Sequence, residues 1–272
     1  MKISKIVFEG IETLALVDGE YFQVLGFAEL SEYFSKRQSG ETLEVKARVP
    51  FDARKCRNPF GASTQTFCIG LNYKAHIIES GKATPEVPTI FGKFASSLVG
   101  PNEVISLPGN SNEVDWEIEL GVVIGSECAR VTSEEALHYV GGYTIVNDIS
   151  MRDWQSRTNQ WFQGKNFHKA TPVAPLISTP DEVDHAKSLD LICSLNGQIM
   201  QQGNTSDLLF DVPYLISYIS QFTTLMPGDL ILTGTPGGVG MSQNPKRFLK
   251  HGDILRSEIE GLGFMESRFE NA

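Results

Sequence analysis

Val114-Asp115-Trp116-Glu117-Ile118-Glu119-Leu120-Gly121-Val122-Val123-Ile124-Gly125 sets two carboxylates one residue apart at the head of an apolar run. The alternation predicts a strand. Side chains alternate across a strand, so Glu117 and Glu119 share one face while Trp116, Ile118 and Leu120 take the other. Carboxylates that close raise each other's pKa unless a cation or a shared proton intervenes. A hard divalent cation suits such oxygens, and a Mg²⁺ site usually takes one or two carboxylates and leaves positions for water and substrate. A solvated acidic face is the alternative that this stretch alone leaves open.

Outward from it, Gly141-Gly142-Tyr143-Thr144-Ile145-Val146 reads as a strand ending in Asn147-Asp148. Asp148 there can complete a three-carboxylate site. Arg152 and Gln155 follow on a helical turn and are expected to share a face with Asp148. Upstream, Phe67-Cys68-Ile69-Gly70 reads as a strand, and a short helix then runs through His76 and Glu79 to a stop at Gly81. A spacing of three puts His76 and Glu79 on one helix face, where the carboxylate orients the imidazole as a general base. A surface ion pair is the alternative reading. Gly164-Lys165, framed by Trp161, Phe162 and Phe167, can place one ammonium in a cleft. Helices are expected over 134–140, capped by Thr132 or Ser133, and over 210–220, with a hairpin turning at Asn196-Gly197. The glycine-rich loop 234–240 lacks a following Lys-Ser or Lys-Thr, so it is no nucleotide P-loop, and there is no GxSxG elbow.

Residues 1 to about 55 alternate short apolar runs with turns and read as a small β-rich unit; 54–64 is the candidate linker, giving units of 1–60 and 61–272. The chain of 272 residues carries 33 acidic and 23 basic side chains, net −10, and the acids are scattered. Nucleic acid is an unsuitable partner for such a surface. No apolar run approaches the roughly 18 residues that cross a bilayer, so a cytoplasmic protein is expected. Cys56, Cys68, Cys128 and Cys193 have no CxxC spacing and suggest neither zinc nor a disulfide framework.

The motifs, in order, resemble the fumarylacetoacetate hydrolase family: Gly70-Leu71-Asn72-Tyr73 with His76 and Glu79; Asp115-Trp116-Glu117-Ile118-Glu119-Leu120; Gly142-Tyr143 with Asn147-Asp148 and Arg152-Asp153; Gly164-Lys165; Asn196-Gly197; and Pro227-Gly228-Asp229 with Thr233-Gly234-Thr235-Pro236. They span residues 66 to 269. Where members often carry Lys-Ser-Phe-Asp, this chain has Lys165-Asn166-Phe167-His168. The resemblance implies a mixed β-rich α+β fold, with the family's β-roll in the C-terminal domain and a small β-rich N-terminal domain, usually a homodimer. It implies Glu117, Glu119 and Asp148 as Mg²⁺ or Mn²⁺ ligands, His76 and Glu79 as a water-activating dyad on a lid segment, and Arg152, Gln155, Lys165 and Thr235 as substrate contacts. The implied reaction is hydrolysis of a C–C bond in a 2,4-dioxo acid such as fumarylpyruvate or acetylpyruvate, with pyruvate enolate leaving and Lys165 offsetting developing charge. Oxaloacetate decarboxylation, or isomerisation or hydration of an unsaturated 2-oxo acid, are the alternatives with the same site.

Overall fold

The computed structural model describes residues 1–272 and is strand-rich, with α-helices short and peripheral. One sheet runs in the order Ala47–Pro50, Tyr21–Val24, Ile11–Asp18, Lys2–Phe8, Ile177–Ser178, Val140–Asn147, Ile118–Ile124, Leu230–Leu232, Thr66–Gly70, Thr89–Lys93. The strands of residues 2–50 therefore continue the same sheet, through the pairing of Lys2 and Ile3 with Ser178 and Ile177. Within 54–64, Cys56–Arg57 forms a short strand on Lys2–Phe8. A second sheet orders Gln198–Asn204, Asp190–Leu195, Ile254–Ile259, Gly263–Asn271 and Ile105–Leu107. The main core lies where these sheets face, and Ile118, Leu120, Val122 and Ile124 point into it. Val123 packs on the opposite side with Val146, Leu230 and Leu232. Central strands buried on both faces need such near-continuous apolar sequence.

Local signals give local elements. Asn196 and Gly197 take φ 52° and 81°, the left-handed pair that a two-residue hairpin requires, and Asp190–Leu195 pairs with Gln198–Asn204 across them. Helix Val212–Ser220 starts where the Asp211 carboxylate accepts from the Tyr214 amide, and it buries Val212, Leu215, Ile216 and Ile219. Helix Lys74–Ser80 ends at Gly81, φ 64°.

Two expectations are corrected. The helix over 134–140 is one α turn, Ser133–Ala136, behind a Thr132/Glu135 capping box, followed by a 3₁₀ turn, Leu137–Tyr139. It stops because Val140 is already the first residue of a central strand. The strand over 114–125 is also interrupted. Val114–Asp115 pairs with Ser150–Met151, whereas Ile118–Ile124 pairs with Val140–Asn147. At the break, the amides of Glu117 and Ile118 donate to side chains, Asn147 Oδ1 at 2.9 Å and Gln201 Oε1 at 3.0 Å. A buried amide without a ladder partner needs such a substitute.

Candidate active site

Glu117 stands at the break, Glu119 on the strand after it, and Asp148 in the bend that follows Val140–Asn147. The Asp148 amide donates to the Glu117 carbonyl at 2.8 Å, which locks the two backbones together. One carboxylate oxygen from each of Glu117, Glu119 and Asp148 lies within 4.8 Å of the others, and all three residues are buried. Spacing suggested Glu117 and Glu119 and left Asp148 as a possible third, the family resemblance implied all three as ligands, and the fold brings them together from segments about 30 residues apart.

Buried cations hold most of that charge. Lys165 Nζ bridges Glu117 Oε2 (2.7 Å) and Asp148 Oδ2 (2.8 Å). Lys93 Nζ reaches Asp148 Oδ1 at 2.5 Å and also donates to the Lys165 carbonyl. Arg152 contacts Glu117 Oε1 through Nη1 (2.6 Å) and Asp115 Oδ2 through Nε (2.8 Å). Burial would raise the Glu117 carboxyl, but Lys165 and Arg152 outweigh it and hold it at about 2. Burial likewise disfavours the Lys165 ammonium, and Asp148 and Glu117 more than reverse that. Glu119 differs: burial raises it well above the carboxylate range, and Asp148 and Glu117 push it further.

Glu119 has no ammonium or guanidinium partner; one oxygen accepts only from the Gly234 amide, at 2.7 Å. An uncompensated buried carboxylate beside two others, with an all-oxygen donor set, fits a hard divalent cation. With every group ionised, the acids Asp115, Glu117, Glu119 and Asp148 exceed the cations Lys93, Arg152 and Lys165 by one charge. A divalent ion would turn that into an excess of one positive charge, the sign that suits an anionic substrate.

The triad opens into a cavity of about 650 Å³ whose wall includes His76, Glu79, Glu117, Arg152, Gln155, Lys165 and Thr235. All nine expected site residues thus gather at one place, seven on the cavity wall and Glu119 and Asp148 behind it. His76 Nδ1 lies 3.0 Å from Glu79 Oε2, and Glu79 Oε1 accepts from the Gly238 amide at 2.9 Å. Burial opposes ionisation of Glu79, but His76 and that amide win and its carboxyl lies below the usual range. The face that Arg152 and Gln155 were expected to share with Asp148 is not a helical one. Asp148 precedes the helical turn Arg152–Gln155, and the guanidinium turns to Asp115, Glu117 and Gln155 Oε1 (2.9 Å). Its Nη2 is buried without a partner. The Thr235 hydroxyl is committed: it donates to the Ile118 carbonyl at 2.9 Å and accepts from Gln201 Nε2 at 2.8 Å.

Sequence reasoning missed Lys93, and it gave Asp115 no role. The available signal for Lys93 was a lysine at the end of the run Thr89-Ile90-Phe91-Gly92, where it is almost fully buried.

The family described as fumarylacetoacetate (FAA) hydrolase, C-terminal, matches residues 65–270. The chain belongs to the fumarylacetoacetate hydrolase family. A curated relative, the mitochondrial oxaloacetate tautomerase of Homo sapiens, is 45% identical over 75% of this chain and 66% of its own length. This family member thus spans just under two thirds of that relative. A 2-hydroxyhepta-2,4-diene-1,7-dioate isomerase structure from Mycobacterium marinum superposes with TM-score 0.83 at 32% identity, covering 100% of this chain and 98% of the other. The fumarylpyruvate hydrolase of Pseudomonas aeruginosa, solved with Mn²⁺ and pyruvate, gives TM-score 0.70 at 28% identity, covering 84% and 93%. The family therefore includes hydrolases, isomerases and tautomerases, and this chain carries the family's strand-rich fold and a buried acidic triad suited to a divalent metal.

Proposed function

We propose that this protein hydrolyses the C3–C4 bond of a 2,4-dioxo acid, an acylpyruvate, using a divalent Mg²⁺ or Mn²⁺ held by Glu117, Glu119 and Asp148. The observation that carries the reading is the His76–Glu79 dyad opening onto the same cavity as Arg152, Lys165 and the triad. When bound, the cation supplies Lewis-acid stabilisation of negative charge on the substrate's carboxylate and 2-oxo oxygens. Arg152, on the cavity wall, supplies a charge-assisted hydrogen bond to the substrate carboxylate, with Gln155 holding the guanidinium in place. Lys165 spends two N–H groups on Glu117 and Asp148 and keeps one for a substrate oxygen. His76, oriented by Glu79, takes a proton from water as its oxygen adds to C4. The C3–C4 bond then breaks, its electron pair goes to the pyruvate fragment, and a proton from His76 or solvent on C3 completes pyruvate and the acid RCOO⁻. General-base help of this kind contributes about 10² to 10⁴-fold.

The cavity of about 650 Å³ supports an acyl substrate plus water, because it has the size of sites that take ligands well beyond a four-carbon acid. Keto–enol tautomerisation of oxaloacetate is the second reading, favoured by the 45% identity to a tautomerase. It needs only a proton moved by His76, with no bond to carbon from water.

The test follows pyruvate, CO₂ and the enol absorbance of oxaloacetate in parallel, with Mn²⁺ supplied, from acetylpyruvate, fumarylpyruvate and oxaloacetate. Pyruvate without CO₂ from an acylpyruvate is the expected result. Enol decay alone supports the tautomerase reading, and CO₂ from oxaloacetate alone replaces both with decarboxylation.

A further inference from the structure

Asp115 is fully buried, and both its oxygens are used twice. Oδ1 accepts from the amides of Trp116 (2.8 Å) and Gly240 (2.6 Å); Oδ2 accepts from Arg152 Nε (2.8 Å) and the Met241 amide (3.0 Å). Two separate parts of the cavity wall therefore meet on one carboxylate. On one side, the Nε bond fixes the plane of the guanidinium: with Nη1 taken by Glu117 and Gln155, Nη2 is the nitrogen left over. On the other side, the loop 238–241 is the platform for the dyad helix, because the Gly238 amide donates to Glu79 Oε1. Trp116 Nε1 ties the same loop by donating to the Gly238 carbonyl at 3.2 Å. Gly240 has no room for a side chain: a Cβ there would collide with Asp115 Oδ1 and the Arg247 carbonyl.

We propose that Asp115 is a positioning residue that couples the carboxylate-binding end of the cavity to the general-base end, orienting Arg152 and docking the loop that carries Glu79. Its relation to substrate rests on the function proposed above; its mechanical role does not. An acid at this position is required for both jobs, since an amide oxygen accepts fewer and weaker bonds than a carboxylate and offers no charge to the guanidinium.

The test is Asp115→Asn, measured by amide hydrogen exchange and by titration with Mn²⁺ and then with oxalate, a planar chelating dianion. The variant is expected to exchange faster over 74–80 and 238–241 while 118–124 stays protected, to bind Mn²⁺ more weakly because one acid of the cluster is neutralised, and, at saturating Mn²⁺, to bind oxalate about tenfold more weakly, a change of about 1.4 kcal/mol. In turnover, KM rises through Arg152 and kcat falls through the dyad. Exchange accelerated evenly, 118–124 included, marks a merely structural role and overturns the proposal, as does unchanged exchange and oxalate affinity. If Asp115→Asn does not fold, Asp115→Glu keeps the charge but displaces both oxygens: faster exchange over 74–80 and 238–241 with 118–124 still protected is expected, and unchanged exchange overturns the coupling. A parent that turns over no acylpyruvate refutes the hydrolase reading, while the exchange comparison still decides the role of Asp115.

Discussion

Replacing Lys93 with Met tests how the site's charge is balanced. Lys93 is buried and lies 2.5 Å from Asp148, so the methionine removes one partner of a buried ion pair while keeping most of the volume. Breaking such a pair costs about 3–5 kcal/mol; Asp148 keeps Lys165 at 2.8 Å, and the cost here comes from the second excess negative charge left in low dielectric. For a chain of this size, each 1 kcal/mol lowers Tm by about 2–4 °C, so the metal-free variant is expected to melt about 6–20 °C below the parent in EDTA. The same loss leaves the triad with one more net negative charge. A divalent cation should then recover part of the cost, and the rise in Tm on adding Mn²⁺ should be larger in Lys93→Met than in the parent. The assay is differential scanning calorimetry of both proteins in EDTA and across a Mn²⁺ titration. Equal Tm values in EDTA, or an Mn²⁺-induced rise no larger in the variant, would refute the charge-balance reasoning.

Glu117→Ala or Asp148→Ala is expected to abolish Mn²⁺ binding by calorimetry and turnover with it, and full activity in EDTA would remove the metal from the mechanism. His76→Ala should keep Mn²⁺ and oxalate affinity while turnover falls by about 10² to 10⁴-fold; equal rates in variant and parent would dismiss the dyad. Glu79, whose folded carboxyl lies below its ordinary 4.5, contributes stability that is present above that value and lost as pH falls through the lower one. The Tm difference between parent and Glu79→Gln is therefore expected to hold from about pH 7 to about pH 5 and to shrink under stronger acid; a difference that already closes by about pH 5 would contradict the direction assigned to Glu79.

What the sequence determined by itself is what covalent geometry makes local. The period of two in 114–125 marked a strand, though not its break before Ile118, the spacing of three joined His76 to Glu79, and Asn196-Gly197 set a hairpin, because each pattern depends only on residues a turn or a pleat apart. The ordered motifs carried the family and the triad. The tertiary structure decided which distant groups complete the site. Lys93 and Lys165 arrive from segments 72 residues apart, and Asn147 and Gln201 close the ladder around Glu117 and Ile118 from two other strands. The partner of Arg152 was also outside local reach. Helical spacing gave Arg152 only a shared face with Asp148, and the packing of Val114–Asp115 on Ser150–Met151 brings it to Asp115 and Glu117. Sheet register sets those meetings, and register is a property of the whole core rather than of any one stretch.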